Sequence, residues 1–196
     1  MWARVESDTV TKIYIRPTAL TIGDVNYPAN IFSMWSKAEL EAKGIYAVVV
    51  DNTNLKPNQY YTNTNQTVAF ASGTVTASYG TATALAIADT LWTAQNETDG
   101  LGTEGEVASK GLKTTHKETI NAQAAGILQG TDWMVVRAAE GGTAVPSDIT
   151  TWRAAVRTKA NAMCTAIGNA ADVDALAALY VYNDDEPPVR PLGEFP

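Results

Sequence analysis

The stretch from Thr131 to Gly168, TDWMVVRAAEGGTAVPSDITTWRAAVRTKANAMCTAIG, carries the strongest pattern in this chain. Thr131 and Asp132 are residue types that cap helix N-termini, because their side-chain oxygens accept hydrogen bonds from free backbone amides. Gly141 ends the helix that this cap predicts, since glycine adopts the left-handed conformation without a steric penalty. Pro146 then favours the first turn of a second helix. The stretch therefore predicts two helices joined by a short loop.

Each predicted helix carries an apolar stripe that begins at a tryptophan. Trp133 and Val136 share one side of the first helix, and Trp152 opens a longer stripe on the second. Helices joined by so short a loop usually lie antiparallel and pack together. We therefore expect an antiparallel helical hairpin in which Trp133 and Trp152 are each buried against the opposite helix.

Charged residues within the hairpin predict a structural lock that fixes the register of the two helices. We expect Glu140 of the first helix to bridge to Arg153 or Arg157 of the second. A partly exposed bridge of this kind contributes only about 0–1 kcal/mol. The alternative is that the acid and the arginines grip an anionic ligand. The residues of the predicted lock are Trp133, Arg137, Glu140, Trp152, Arg153 and Arg157.

Several short motifs occur together along the chain. Those in the hairpin region are Thr131-Asp132-Trp133, Arg137 with Glu140, Val145-Pro146, and Trp152 with Arg153 and Arg157. Those nearer the N-terminus are Tyr27-Pro28-Ala29-Asn30-Ile31-Phe32, Trp35-Ser36-Lys37-Ala38-Glu39-Leu40, and Lys56-Pro57-Asn58-Gln59-Tyr60-Tyr61. Together they resemble segments of the small tail-fibre and tail-associated proteins of tailed bacteriophages. The resemblance is weakest over residues 62–100.

The resemblance implies a non-enzymatic structural component of a phage tail, either a tail fibre or a baseplate-proximal protein. Such a protein is made in the host cytoplasm and resides in the tail of the virion. Its implied partners are other phage tail proteins and further copies of itself, with a trimer favoured. Two alternatives stay open: a tail-fibre assembly chaperone, to which the proline-containing end at 190–196 is similar, and an adhesin for a host surface receptor.

Three aromatic residues are candidates for surface recognition of such a receptor. Trp35, Tyr60 and Tyr61 have ring faces that can stack on the apolar patches of sugars. The alternative is that they fill a small β core, where aromatic side chains bring the largest burial per residue.

The N-terminal half of the sequence has the patterns of β-strands. Val10–Ile15 alternates β-branched and aromatic residues, Ile45–Val50 is an apolar run, and residues 67–71 and 74–79 flank a Ser-Gly turn. Ser36 or the residue before it is predicted to cap a short helix at 37–43.

These elements predict an α+β fold in several parts. A small β-rich domain with one short helix occupies 1–96, and a glycine-containing linker follows at 97–106. A helical domain at 107–182 begins with a helix over 107–129 and contains the hairpin. Because proline recurs in residues 183–196, that tail is expected to be extended.

Composition and motifs argue against several classes of function. The net charge of −7 disfavours nucleic-acid binding, which needs clustered lysine and arginine. With only Cys164 and His116, one chain offers no disulfide and no His/Cys metal site. No nucleotide-binding loop or hydrolase motif is present, so no enzyme and no cofactor are expected. No apolar run approaches about 18 residues, so no membrane insertion is expected.

Overall fold

The protein is described from a computed structural model that covers residues 1–196. The chain divides into two compact units, Met1–Thr83 and Ala84–Pro196. The first unit consists mainly of β-strands and the second mainly of helices, which confirms the predicted α+β class. The predicted linker at 97–106 falls inside the second unit, and a domain division at that point stays a prediction.

A five-stranded sheet forms the centre of the first unit. The strands of the unit are β1 (Trp2–Glu6), β2 (Thr9–Tyr14), β3 (Leu20–Ile22), β4 (Val25–Tyr27), β5 (Ile45–Asp51), β6 (Tyr61–Thr62), β7 (Gln66–Ala71) and β8 (Thr74–Tyr79); β9 (Thr83–Ala84) lies at the unit boundary. The sheet order is β2-β1-β5-β8-β7. Neighbouring strands are antiparallel except β5 and β8, which run parallel. β3 and β4 form a separate two-stranded sheet.

Two apolar clusters cover the two faces of this sheet. One cluster contains Tyr14, Leu20, Ile31, Phe32, Leu40 and Ile45, with Trp2, Ile22, Tyr27 and Trp35 packed against it. The other contains Ala3, Val5 and Val75, with Val10, Tyr46, Val48, Val68 and Phe70 packed against it. Successive residues of a strand point to opposite faces, so neighbours such as Trp2 and Ala3 belong to different clusters.

Two short helices, α1 (Ile31–Met34) and α2 (Lys37–Ala42), supply apolar residues to the first of these clusters. The α2 helix begins with a capping box. The Ser36 hydroxyl accepts a hydrogen bond from the Glu39 amide at 3.3 Å, and the Glu39 carboxylate accepts one from the Ser36 amide at 2.7 Å. The predicted cap at Ser36 is therefore confirmed.

Two long helices dominate the second unit. Its elements are β10 (Thr90–Leu91), α3 (Ala94–Thr98), β11 (Val107–Ser109), α4 (Leu112–Ala139), α5 (Ser147–Asn169) and α6 (Val173–Ala178). Contacts pair Lys117 with Cys164 and Leu128 with Arg153, so α4 and α5 run antiparallel. The predicted helical hairpin is thus present.

The first arm of the hairpin differs from the prediction. Residues 107–129 and 133–140 were expected to form separate helices, with Thr131 and Asp132 capping the second. Instead α4 is a single helix of 28 residues that runs through both segments. The prediction of a break near residue 130 is therefore wrong.

The core of the second unit lies between α4, α5 and α6. Its buried residues are Ile120, Ala124, Val156, Ala160, Met163, Ile167, Ala170, Val173, Leu176 and Leu192. Ile120 and Ala124 mark the inward side of α4, and a turn of 3.6 residues places Trp133 on the opposite side. Trp133 is accordingly 55% exposed, whereas Trp152 is half-buried. The expectation that Trp133 is buried in the hairpin is wrong.

A side chain from an earlier segment caps the start of α4. The Asp89 carboxylate accepts hydrogen bonds from the Gly111 amide at 2.7 Å and from the Thr114 hydroxyl at 2.9 Å. The hydrogen bond from Gly111 has the larger effect, and together the two bonds hold the pKa of the Asp89 carboxyl below its ordinary value. The next amides of α4 are also used, since Leu112 and Lys113 donate to the carbonyls of residues 86 and 87. The segment before the helix thus satisfies its free N–H groups.

We expect Gly44→Ala to destabilise the first unit more than Gly73→Ala does. Both glycines have positive φ, +72° and +75°, a conformation that costs other residues about 1–2 kcal/mol. A Cβ at Gly44 would also lie 2.6 Å from the Val5 carbonyl oxygen, whereas Gly73 has nothing within 4 Å. Urea unfolding of both variants checks this; equal losses in free energy of unfolding would contradict it.

Candidate interaction surfaces

The hairpin is locked by Arg153, although through a different partner from the predicted one. Its guanidinium donates to the Leu128 carbonyl oxygen at 2.9 Å, to the Thr131 hydroxyl, and to the Asp132 carboxylate at 2.7 Å. The Arg153 side chain is only 11% exposed, whereas the Asp132 carboxylate that accepts from it is 55% exposed. The register of α4 against α5 is therefore fixed by Arg153 and Asp132, and the expected bridge from Glu140 is not formed.

The other members of the predicted lock are only partly brought together. The Arg137 guanidinium lies 4.8 Å from the ring centroid of Trp133, within cation–π range. Neither Glu140 nor Arg157 takes part in an ion pair, and both are exposed. The structure therefore contains a cation–π pair of Arg137 and Trp133 on the outer side of α4 and a separate ion pair of Arg153 and Asp132 between the helices, instead of one network.

The three predicted recognition aromatics occupy different environments. Tyr60 is only 4% exposed, so its ring face is not available to a sugar. Trp35 packs edge-on against Tyr27, with ring centroids 5.3 Å apart, beside the first apolar cluster. Tyr61 is half-buried, with the Lys56 amine 5.6 Å from its ring centroid. The core alternative fits Trp35 and Tyr60, and the three residues do not form one exposed platform.

The tail at 183–196 is anchored to the second unit. Leu192 is buried, and its amide donates to the Leu179 carbonyl oxygen at 3.0 Å. The Tyr182 hydroxyl donates to the Glu194 carboxylate at 2.6 Å, and the Arg190 guanidinium pairs with the same carboxylate at 2.7 Å. The hydrogen bond from Tyr182 lowers the pKa of Glu194 below its ordinary value. The tail is therefore held by a buried leucine and a small polar network.

This anchoring creates an open cleft of about 580 Å³, called here the C-terminal cleft. Its lining residues are Ala178, Val181, Tyr182, Asn183, Val189, Arg190 and Pro191. Val181, Tyr182 and Val189 are exposed, Val181 to 65%. The Arg190 charge is already paired with Glu194, so what the cleft offers a ligand is mainly apolar surface. This site has no signal in the sequence, because its residues lie on both sides of an acidic and proline-containing turn.

The only histidine of the chain links α4 to the segment after α6. The His116 Nδ1 atom lies 2.7 Å from the Tyr180 hydroxyl oxygen, and the two ring centroids are 5.0 Å apart. Burial lowers the pKa of His116 below its ordinary value, because a low-dielectric environment disfavours the imidazolium form. His116 therefore has a packing role between α4 and the segment that follows α6.

Two further features bear on the kind of site that the chain can offer. No group of three or more His, Cys, Asp or Glu side chains is arranged to hold a metal ion. Neither α4 nor any other helix combines the length and apolar character that a membrane span requires. The surface features described so far that could take part in binding are the C-terminal cleft and the outer side of α4.

Replacement of Arg153 by lysine is expected to lower the free energy of unfolding of the second unit by about 1.5–3 kcal/mol. Lysine keeps the charge but cannot reach three acceptors with a planar fork, and hydrogen bonds involving charged groups are worth this much. The matched control is Arg157→Lys on the same helix, where the side chain is exposed and unpaired, and a change within about 0.5 kcal/mol is expected. Denaturant unfolding measures both; similar values for the two variants would refute the role of Arg153.

The free energy of unfolding is expected to decrease as the pH is lowered, because of His116. Its pKa in the folded state is below the ordinary 6.5, so the unfolded chain binds the proton at higher pH than the folded one. This contribution is fully present above pH 6.5 and is lost as the pH drops toward the folded pKa. Melting temperatures measured between pH 5 and 8 should show this slope in the parent and a flatter profile in His116→Gln. Parallel profiles would rule the contribution out.

A scan against protein-family models, a search of curated proteins and a search of solved structures each give no match for this chain. The resemblance to phage tail proteins therefore rests on the short motifs of the sequence. The properties of the C-terminal cleft and of the outer side of α4 are inferred only from the residues that form them.

Proposed function

We propose that this chain is a non-enzymatic structural component of a bacteriophage tail, at a tail-fibre or baseplate-proximal position, where it contacts other virion proteins. The motifs around Trp133 and Trp152, and those at 27–61, support the phage assignment by resemblance. The C-terminal cleft is the observation that supports contact with other proteins, because it presents apolar side chains to solvent in a chain that has no recognised catalytic motif.

The cleft has the chemistry of a protein-contact site. Val181 and Val189 keep more than half of their surface in water. Covering apolar surface gains about 25 cal/mol per Å² removed from water, so a partner segment with aliphatic or aromatic side chains is favoured there. Contiguous apolar surface with a polar rim is typical of sites that bind other proteins. Asn183 and the Arg190–Glu194 pair supply that rim.

The cleft is also held in shape before any partner arrives. The Asn183 amide donates to the Val189 carbonyl oxygen at 2.8 Å, which joins the two walls. Leu192 anchors the far end of the tail in the core. A site ordered in advance loses less conformational entropy on binding, which favours its use in an assembly.

Mass spectrometry of purified virions tests the assignment. A structural component stays in mature particles at a fixed ratio to the other tail proteins. Detection only in the lysate of infected cells would overturn the proposal and favour the assembly-chaperone alternative. The adhesin alternative has weaker support, since Tyr60 is buried, and it requires binding to host glycans that is lost on Tyr61→Ala.

Val181→Asp is expected to reduce incorporation of the protein into particles several-fold, because a charge in the C-terminal cleft must be desolvated on contact. The side chain is 65% exposed, so the fold should tolerate the change. Val25→Asp is the matched control, since that valine is 52% exposed on β4 in the other unit. Complementation of a phage that lacks the gene, followed by quantification in virions, measures both. Equal incorporation of the two variants would show that the cleft is not the contact site.

A further inference from the structure

The side of α4 that faces away from α5 carries a regular repeat of exposed residues. Its positions alternate in steps of four and three residues: Thr115, Thr119, Ala122, Gly126, Gln129, Trp133 and Val136, followed by Glu140, the residue that caps the C-terminus of the helix. All eight residues are exposed. This spacing places the residues on one side of α4, and three of them, Ala122, Trp133 and Val136, are apolar. We call this set the outer face of α4.

The outer face is unusual for a surface that stays in water. It contains no charged residue between Thr119 and Val136, and both Trp133 and Val136 are 55% exposed. The inward side of the same helix is already covered, since Ile120 and Ala124 are buried against α5. Large apolar residues left exposed on the opposite side, here Trp133 and Val136, mark a surface that can contact another protein. The outer face is therefore expected to have a partner.

The distribution of side-chain sizes identifies that partner. The bulky residues, Trp133 and Val136, lie in the C-terminal half of the face, and the small ones, Ala122 and Gly126, lie in the N-terminal half. At Gly126 the space where a side chain would stand is empty, with nothing within 4 Å. In an antiparallel pair related by a twofold axis, the bulky half of each copy lies against the small-residue half of the other. The same contact therefore forms twice, as a self-complementary interface requires.

We propose that α4 pairs through its outer face with α4 of a second copy of this chain, in antiparallel orientation. In the alignment that follows from the repeat, Trp133 packs over Ala122 of the second copy. Val136 lies opposite Thr119 of the second copy, and Gly126 lies opposite Gln129. No charged residues of like sign meet in these layers. This pairing is independent of the proposed function, and its twofold symmetry differs from the trimer that the sequence resemblance favours.

The expected complex is weak. The uncharged part of the face, from Thr119 to Val136, has a length of about 27 Å at 1.5 Å per residue. Two such faces form an interface near or below the lower end of the range of about 1,200–2,000 Å² found for stable complexes. The dimer is therefore expected to form in a concentration-dependent way, with dissociation in the micromolar range, about 1–100 µM.

Sedimentation equilibrium of the full chain tests the pairing. The parent should shift from the 20.9 kDa chain mass toward twice that mass as its concentration rises to about 100 µM. Gly126→Glu should remain monomeric, because it places a charge and a side chain at the centre of the face. Since glutamate favours the helix more than glycine does, loss of the dimer cannot be attributed to a melted α4. Gln123→Glu adds the same charge one turn earlier, on an exposed position outside the face, and should dimerise like the parent.

A cross-linking experiment tests the orientation. In chains in which Cys164 is replaced by serine, a Thr119→Cys chain mixed with a Val136→Cys chain should form a disulfide-linked pair under mild oxidation. Neither chain alone should do so at the same rate, because identical positions lie far apart in an antiparallel pair. A parent that stays monomeric, a trimeric mass, a Gly126→Glu variant that still dimerises, or faster cross-linking of either chain with itself would each overturn the proposal.

Discussion

The guanidinium of Arg153 contacts α4 in the segment whose residues have the lowest helix propensity. Gly126, Gly130, Thr131 and Asp132 are all poorer helix formers than alanine, and glycine costs about 1 kcal/mol in a helix interior. Arg153 binds one carbonyl oxygen and two side chains of this segment at once. The contact favours the helical conformation over the break that the local sequence would adopt, so α4 continues to Ala139. The length of α4 sets the hairpin, and it also places Trp133 and Val136 on the outer side of that helix.

The local patterns of the sequence predicted β2, β5, β7, β8 and α2 of the first unit. Alternation identified β2 and the β7–β8 hairpin, and the spacing of Ser36 and Glu39 is a complete capping box. Such features depend on residues close in the chain, where side-chain period and capping chemistry act directly. The sheet order β2-β1-β5-β8-β7 could not be predicted in the same way, since it depends on contacts between distant strands.

In the second unit the sequence predicted the hairpin but assigned its side chains wrongly. Thr131 and Asp132 have the chemistry of an N-cap, yet they lie inside a helix because Arg153 satisfies them there. Once α4 is continuous, its inward side is set by Ile120 and Ala124, and Trp133 turns outward. The error thus has one origin, a tertiary contact that overrides a local stop signal. The C-terminal cleft was missed for a related reason, since a buried Leu192 within a proline-containing tail has no periodic pattern to reveal it.

The parallel pairing of β5 with β8 has a consequence for the order in which the first unit folds. β1 with β2 and β7 with β8 are hairpins whose strands are close in the chain, so each closes a short loop. β5 must then pair with β1 of one hairpin on one side and with β8 of the other hairpin on the other side. Because β5 and β8 are parallel, the chain that links them must first cross back to the end of the sheet at which β5 begins. Because such nonlocal pairing has a high loop-closure entropy, it forms late. The hairpins are expected to be early structures, and the insertion of β5 between them is expected to limit the folding rate of this unit, since its pairing with β1 joins Trp2 to Ala47 and closes an even longer loop.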